Sequence, residues 1–287
     1  MKRSVSHPCR GAATVLSVWL AALCAAAGAA IPANAAEDVD TALIVAIDVS
    51  RSVDEERYDL QMDGVAQALE DDGVLHAILS GPNHAIVFSL VVWADHPRIA
   101  VPWQRIASKE DAAEVAALVR GLENTGGEFT CLTRMLRYLN DSVVPEIPAK
   151  VGRIVVDVSG DGIDNCSETD AGEAERNELL ATGATINGLP IIVEGENTVV
   201  GSGTYRAPGY GLRELPPGAD RETTTLDEWY RANVIGGPGA FVLAAQGYAD
   251  FGRAFRQKFV TEISAVTKRF SPVPPGAASG FDFSRTP

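Results

Sequence analysis

The residues with most chemical potential in this chain carry oxygen. Asp48, Ser50 and Ser52 stand at alternate positions at the end of an apolar run, Thr41–Asp48 (TALIVAID). Thr130 follows the pair Gly126-Gly127 at the start of a new periodic stretch, and Asp161 sits between two glycines just beyond Arg153–Val158 (RIVVDV). Brought together, these residues would offer two carboxylates and three hydroxyls, with no His or Cys. Hard oxygen donors suit Mg2+, with Mn2+ or Ca2+ as substitutes, rather than Zn2+. Mg2+ keeps several of its waters, so a partial protein shell with open positions is the expected form.

Plainer readings compete. Ser52-Val-Asp-Glu55 fits a capping box at a helix start, and Thr130 stands where it could cap the next helix. The stretch Asp157-x-Ser159-x-Asp161-Gly162, with Glu168 in twelfth position, imitates a calcium loop. Its preceding residues are β-branched, however, and Asp164 places a charge where such a loop packs an apolar side chain. Enzyme readings are thin. Outside the N-terminal segment the histidines are His76, His84 and His96; none adjoins a strand-end serine, and no Gly-x-Ser-x-Gly elbow is present. As a phosphoryl-transfer nucleophile, Asp48 would want a second acid two residues on, where Ser50 stands, and Arg51 alone is near enough to balance phosphate charge. No enzyme activity is expected. The rivals are a metal-dependent phosphohydrolase using Asp48 and a purely structural domain whose Asp48 and Asp161 only cap loops.

The elements that must position these residues follow from periodicity. Thr41–Asp48, Ile86–Ala94 and Arg153–Val158 are short apolar runs, the pattern of strands buried on both faces. A helix is predicted from about 53 to 72, where Tyr58, Met62, Val65 and Leu69 share a face. Ile99–Trp103 reads as a short antiparallel partner. Ser108 opens a helix, and another runs from Thr130 to just before Pro145. Glu168–Ala181 is helical, Ala184–Val193 is a strand interrupted at Asn187-Gly188, and Glu194–Thr224 is a long loop or insertion rich in Gly, Pro and Thr. A short helix over Leu226–Val234, a strand at Ala240–Ala245 and an amphipathic helix through Phe251, Phe255, Phe259, Ile263, Val266 and Phe270 complete the domain. Ser271–Pro287 reads as a disordered tail. Strands alternating with helices predict an α/β fold: a doubly wound, mostly parallel sheet with one short antiparallel edge strand and helices on both faces. Ligands of such sheets bind beyond the carboxyl ends of the strands, where Asp48 and Asp161 fall.

Composition sets the context. The chain has 287 residues, 46% apolar, with 24 Lys+Arg against 38 Asp+Glu and a formal net charge of −14. This charge argues against nucleic acid and anionic membrane surfaces as partners. Residues 1–35 combine a basic start (Lys2, Arg3, Arg10), an Ala- and Leu-rich stretch and a small-residue exit at Ala33-Asn34-Ala35, the signature of a cleaved signal peptide. A retained membrane anchor is the alternative; Leu23 before Cys24 argues against a lipid anchor. No second apolar span follows, so a periplasmic or secreted location is expected, with no stable membrane span after cleavage. Cleavage leaves Cys131 and Cys166, which in an oxidising compartment read as a disulfide rather than two separate thiols.

The order Asp48-x-Ser50-x-Ser52, Thr130, then a strand-end Asp161 before Gly162, resembles the metal-ion-dependent adhesion site of von Willebrand factor A domains. The alternation of elements agrees over about residues 40–270, and the expected domain is 36–270. A finer resemblance, through IVAIDVSRSVD, VVDVSGDGIDN, INGLPI and NVIGGPGAF, is to exported bacterial A-domain-like proteins of unknown function; residues 194–224 look longer than expected for that group. The resemblance implies that Ser50, Ser52 and Thr130 bind the metal directly, and that Asp48 and Asp161 do so directly or through water. A carboxylate from a protein partner would complete the shell. It also implies that the loops bearing Cys131 and Cys166 are neighbours.

Overall fold

The computed structural model describes residues 38–166, 171–201, 204–206, 212–214 and 223–270. The expected signal segment and the expected tail lie outside the described residues. In chain order the elements are β1 (Thr41–Asp48), α1 (Glu55–Glu70), α2 (Asp72–Leu79), β2 (Ile86–Trp93), β3 (Arg98–Ile106), α3 (Lys109–Arg120), α4 (Leu132–Tyr138), β4 (Ile154–Gly160), α5 (Ala171–Ala181) and β5 (Thr185–Ile192). There follow β6 (Val199–Val200), β7 (Thr204–Arg206), β8 (Leu212–Glu214), β9 (Thr224–Thr225), α6 (Leu226–Asn233), β10 (Ala245–Gln246) and α7 (Phe251–Phe270).

One sheet organises the domain, in the order β10-β5-β4-β1-β2-β3. All its pairings are parallel except β2 with β3, which makes β3 an antiparallel edge. Every residue of β1 and β2 is buried, because strands covered on both faces must be apolar on both. Along β1, Leu43, Val45 and Ile47 pack with α1, α2, α3 and α7, while Ile44 and Ala46 pack with α4, α5 and α6. This is the doubly wound α/β architecture that the alternating pattern predicts.

Departures from the sequence expectation have local causes. The helix expected over 53–72 ends at Glu70, because Asp71 caps a new helix: its Oδ1 accepts from the backbone N–H of Gly73 (2.9 Å) and of Val74 (3.1 Å). The helix after Thr130 changes pitch, passing into a π turn at Leu139–Val143 and a 3-10 turn at Val144–Glu146 that absorbs Pro145. Strand β5 is continuous through Asn187-Gly188. A Cβ on Gly188 would lie 2.8 Å from the Tyr230 ring, so this glycine lets α6 lie close on the strand rather than breaking it. Of the strand expected at Ala240–Ala245, a bridge from Val242 to Gly188 and the two-residue β10 are formed. The expected loop at 194–224 carries short antiparallel pairs, β6 with β9 and β7 with β8.

Candidate metal centre

The five oxygen residues singled out in the sequence meet at the carboxyl edge of the sheet. Asp48 ends β1, and its Oδ1 accepts the backbone N–H of Ser50 at 2.8 Å. A tight turn, closed by Val53 N–H to Ser50 C=O at 2.8 Å, presents Ser52. Ser52 donates to Asp161 Oδ1 at 2.7 Å, crossing from the β1 loop to the β4 loop. Thr130 Oγ1 donates to Ser50 Oγ at 3.2 Å, and Ser50 Oγ lies 3.3 Å from Ser52 Oγ. Asp48, Ser50, Thr130 and Asp161 are buried; Ser52 is exposed at the mouth.

The capping readings give way to other partners. Asp54 caps α1, its Oδ1 accepting from Arg57 N–H at 2.9 Å, which leaves the Ser52 hydroxyl for Asp161. Helix α4 is capped from another loop: Asp164 Oδ2 accepts from Thr133 N–H (2.8 Å) and from its hydroxyl (2.7 Å), so Thr130 is directed to Ser50. Asp157, first in the imitation calcium loop, lies inside β4.

The electrostatics are those of two acids sharing a dry site. Burial first, then the charge of Asp161, push the Asp48 carboxyl well above the ordinary carboxylate value. Asp48 Oδ2 is buried, and among the described residues nothing donates a hydrogen bond to it. An orphaned carboxylate oxygen beside a second carboxylate and three hydroxyls, with no softer donor among them, is a set that a small hard cation fits. Among the described residues no group of three or more His, Cys, Asp or Glu side chains gathers for a metal; this set relies on hydroxyls.

Several supporting residues gave no sequence signal. Tyr248 donates its phenol to Asp161 Oδ2 at 2.9 Å, and burial, then Asp161, raise its pKa, so it stays a donor. Tyr230 is held protonated in the same way, by burial and then Asp48 and Asp161. Arg57 lies over the Tyr248 ring (5.1 Å), donates to the Ser52 carbonyl (3.0 Å) and pairs with Glu196 (2.7 Å). Asn197 Nδ2 bonds the Asp161 carbonyl at 2.6 Å and so ties the start of the 194–224 stretch to the site. Except for the local bond from Arg57 to Ser52, these contacts join segments far apart in the sequence, where no spacing rule reaches.

The loops bearing Thr130 and Asp161 are locked together. Thr130 N–H donates to Asn165 Oδ1 (2.9 Å) and Asn165 N–H to the Thr130 carbonyl (3.0 Å). Beside them Cys131 and Cys166 form a disulfide with Cα atoms 5.3 Å apart. The expected pairing is therefore present.

Residues 38–267 match the family described as "Protein of unknown function (DUF1194)". The chain belongs to that family. Among solved structures, proximal thread matrix protein 1 from the mussel byssus aligns with 81% of this chain and 49% of its own, at 13% identity and a TM-score of 0.53. A von Willebrand factor type A protein from Catenulispora acidiphila aligns with 78% of this chain and 43% of its own, at 15% identity and a TM-score of 0.50. The chain thus spans about half the length of these solved chains. At such identities the likeness establishes the fold, that of a von Willebrand factor A domain. No curated protein matches the DUF1194 chain, and no described helix is long and apolar enough to cross a membrane.

Proposed function

We propose that this DUF1194 protein is an exported interaction domain that binds a protein partner through Mg2+ held by Asp48, Ser50, Ser52, Thr130 and Asp161. Mn2+ and Ca2+ are alternative occupants. The observation that carries the reading is the buried, unpartnered Oδ2 of Asp48 within this connected oxygen cluster. A bound cation supplies a positive field that can receive an acidic side chain from a partner, even on a protein of net charge −14. The chain's own residues do the rest. The hydroxyls of Ser50 and Thr130 offer neutral oxygens in a buried setting. Ser52, exposed at the mouth, marks the side from which a partner carboxylate approaches. Tyr248 and Asn197 hold the Asp161 loop in place.

Two features support binding over phosphoester turnover. Asp48 is fully buried, and a nucleophile must meet its substrate. Arg51, the base nearest to it in sequence, is engaged with Glu128 at 3.0 Å. Residues 1–35 are the proposed export signal and 36–270 the proposed domain, which places the disulfide in the oxidising periplasm or outside the cell.

Thermal melts in Mg2+ and in chelator test the proposal, because a ligand of the native state raises its midpoint. The wild type should melt higher with Mg2+, and Asp161→Ala should lose the difference. Equal wild-type midpoints with and without Mg2+, Mn2+ or Ca2+ would leave the purely structural reading standing.

A further inference from the structure

A second cluster of reactive groups lies on the face of the sheet covered by α7. Asp157 on β4 and Asn187 on β5 are register neighbours. Lys258 and Glu262, one turn apart on α7, descend onto them. Exposures are 0% for Lys258, 3% for Asp157, 2% for Asn187 and 4% for Glu262. Lys258 Nζ is ion-paired with Asp157 Oδ1 and donates to Glu262 Oε1 at 2.7 Å. Asn187 Nδ2 donates to the same Glu262 oxygen at 2.6 Å. The Phe241 ring lies 5.8 Å from Lys258 Nζ, and the buried side chains of Phe255 and Phe259 flank this turn of α7.

As permanent ions these groups are costly. One ammonium and two carboxyls are taken out of water, and desolvation of such charges rivals their attraction. Glu262 answers part of the cost: burial, then the charge of Asp157, raise its pKa well above the ordinary range, so it holds its proton. Asp157 is buried against the same ammonium. An amine, a carboxyl carbon and a neutral carboxylic acid are thus held together in a water-poor pocket. Such fixed juxtaposition converts a bimolecular condensation into an intramolecular one with a high effective concentration.

We propose that Lys258 and Asp157 are joined by an intramolecular amide bond, formed in the folded chain with Glu262 as proton shuttle. The ammonium passes a proton to the Asp157 carboxylate it contacts, and the freed Nζ lone pair attacks Asp157 Cγ. The Cγ–N bond forms, one Cγ–O bond breaks, and the departing oxygen leaves as water. Glu262 gives its proton to that oxygen and recovers one from the nitrogen. Ammonium and carboxylate become a secondary amide and one water, with no change in net charge or oxidation state. The product N–H can still donate to Glu262 Oε1. The bond would staple the C-terminal helix to a central strand and, unlike the disulfide, would survive reduction.

Tryptic mass spectrometry of the full chain, expressed with its N-terminal segment and then reduced and alkylated, decides the matter. Trypsin does not cleave after an acylated lysine. The wild type should therefore yield peptide 154–176 joined to peptide 257–268, at their summed mass less one water. Lys258→Arg and Asp157→Ala should each abolish the joined species, and Glu262→Gln should reduce it at least tenfold. Free 154–176 with cleavage after Lys258 in the wild type would overturn the proposal. So would a loss of water confined to 257–268, which would be a Lys258–Glu262 lactam. An undiminished link in Glu262→Gln would overturn the shuttle. The wild-type result stands whether or not a variant folds, and it does not depend on metal binding.

Discussion

Tyr248 donates a hydrogen bond to Asp161 Oδ2 at 2.9 Å, while Ser52 donates to the other oxygen of the same carboxylate. Both oxygens of Asp161 are thus aimed, one from the β1 loop and one from the turn before α7. Groups that orient a metal ligand typically account for about 10–100-fold in affinity. Tyr248→Phe keeps the ring under Arg57 and removes only the phenol. It is expected to weaken Mg2+ binding about 10-fold, read by isothermal titration, with little change in the melt in chelator. Unchanged affinity would make Tyr248 a packing residue.

Asp48 and Asp161 repel one another across a buried site, and this repulsion should be visible without metal. The folded Asp48 holds its proton more tightly than the unfolded chain does, its pKa being raised above the ordinary 3.8. The native state therefore binds more protons, and stability in chelator should fall as pH rises from about that value through the raised folded pKa. A cation that favours the carboxylate should flatten the decline. Asp48→Asn removes the charge and is expected to melt higher than the wild type in chelator at neutral pH, by on the order of 1 kcal/mol. It should gain nothing from Mg2+. Denaturation series with and without metal at several pH values read both effects.

Much of this arrangement is legible in the amino-acid order alone. The apolar runs ending in Asp48 and preceding Asp161 mark the strands, since only strands covered on both faces need be apolar throughout. The rule that ligands bind at the carboxyl edge then places Asp48, Ser50, Ser52 and Asp161 together, while Thr130, which follows no strand, joins them only through the resemblance to A domains. What escapes is whatever depends on a partner far along the chain. Ser52 fits a cap by spacing, yet Asp54 is the cap, because the turn at Ser50–Val53 carries Ser52 away from the helix start. Gly188 suggests a break in β5, yet its role is to make room for Tyr230 from α6. Tyr248, Asn197 and Asp164 stand in stretches of weak pattern, and their contacts exist only once the loops have met. The same holds for Lys258, which periodicity marks as one helical position among many.

The disulfide between Cys131 and Cys166 closes a loop with a sequence separation of 35. In the chain-entropy account this contributes about 3–4 kcal/mol. The double variant Cys131→Ser, Cys166→Ser should lose about that amount in urea denaturation, and its Mg2+ affinity should also fall. The affinity effect follows from position, since Thr130 adjoins one cysteine and Asn165 the other, and their paired hydrogen bonds hold the two site loops together. A loss of stability with unchanged affinity would show that those hydrogen bonds suffice alone.

Gly160 offers the sharpest steric test. It is the last residue of β4, and a Cβ built on it would lie 2.9 Å from Asp48 Oδ2, 2.9 Å from the Tyr230 hydroxyl and 3.0 Å from Asp48 Cβ. These neighbours are buried, and Asp48 is anchored by the Ser50 N–H, so they cannot simply swing aside. A methyl inserted into a packed interior costs typically about 1–3 kcal/mol. Gly160→Ala is expected to lose about that much in chelator. In Mg2+ the loss should be larger, because the methyl also displaces the Asp48 oxygen proposed to face the cation. The difference between the two conditions separates a packing defect from a site defect. Equal losses with and without metal would mean that Asp48 Oδ2 does not take part in binding.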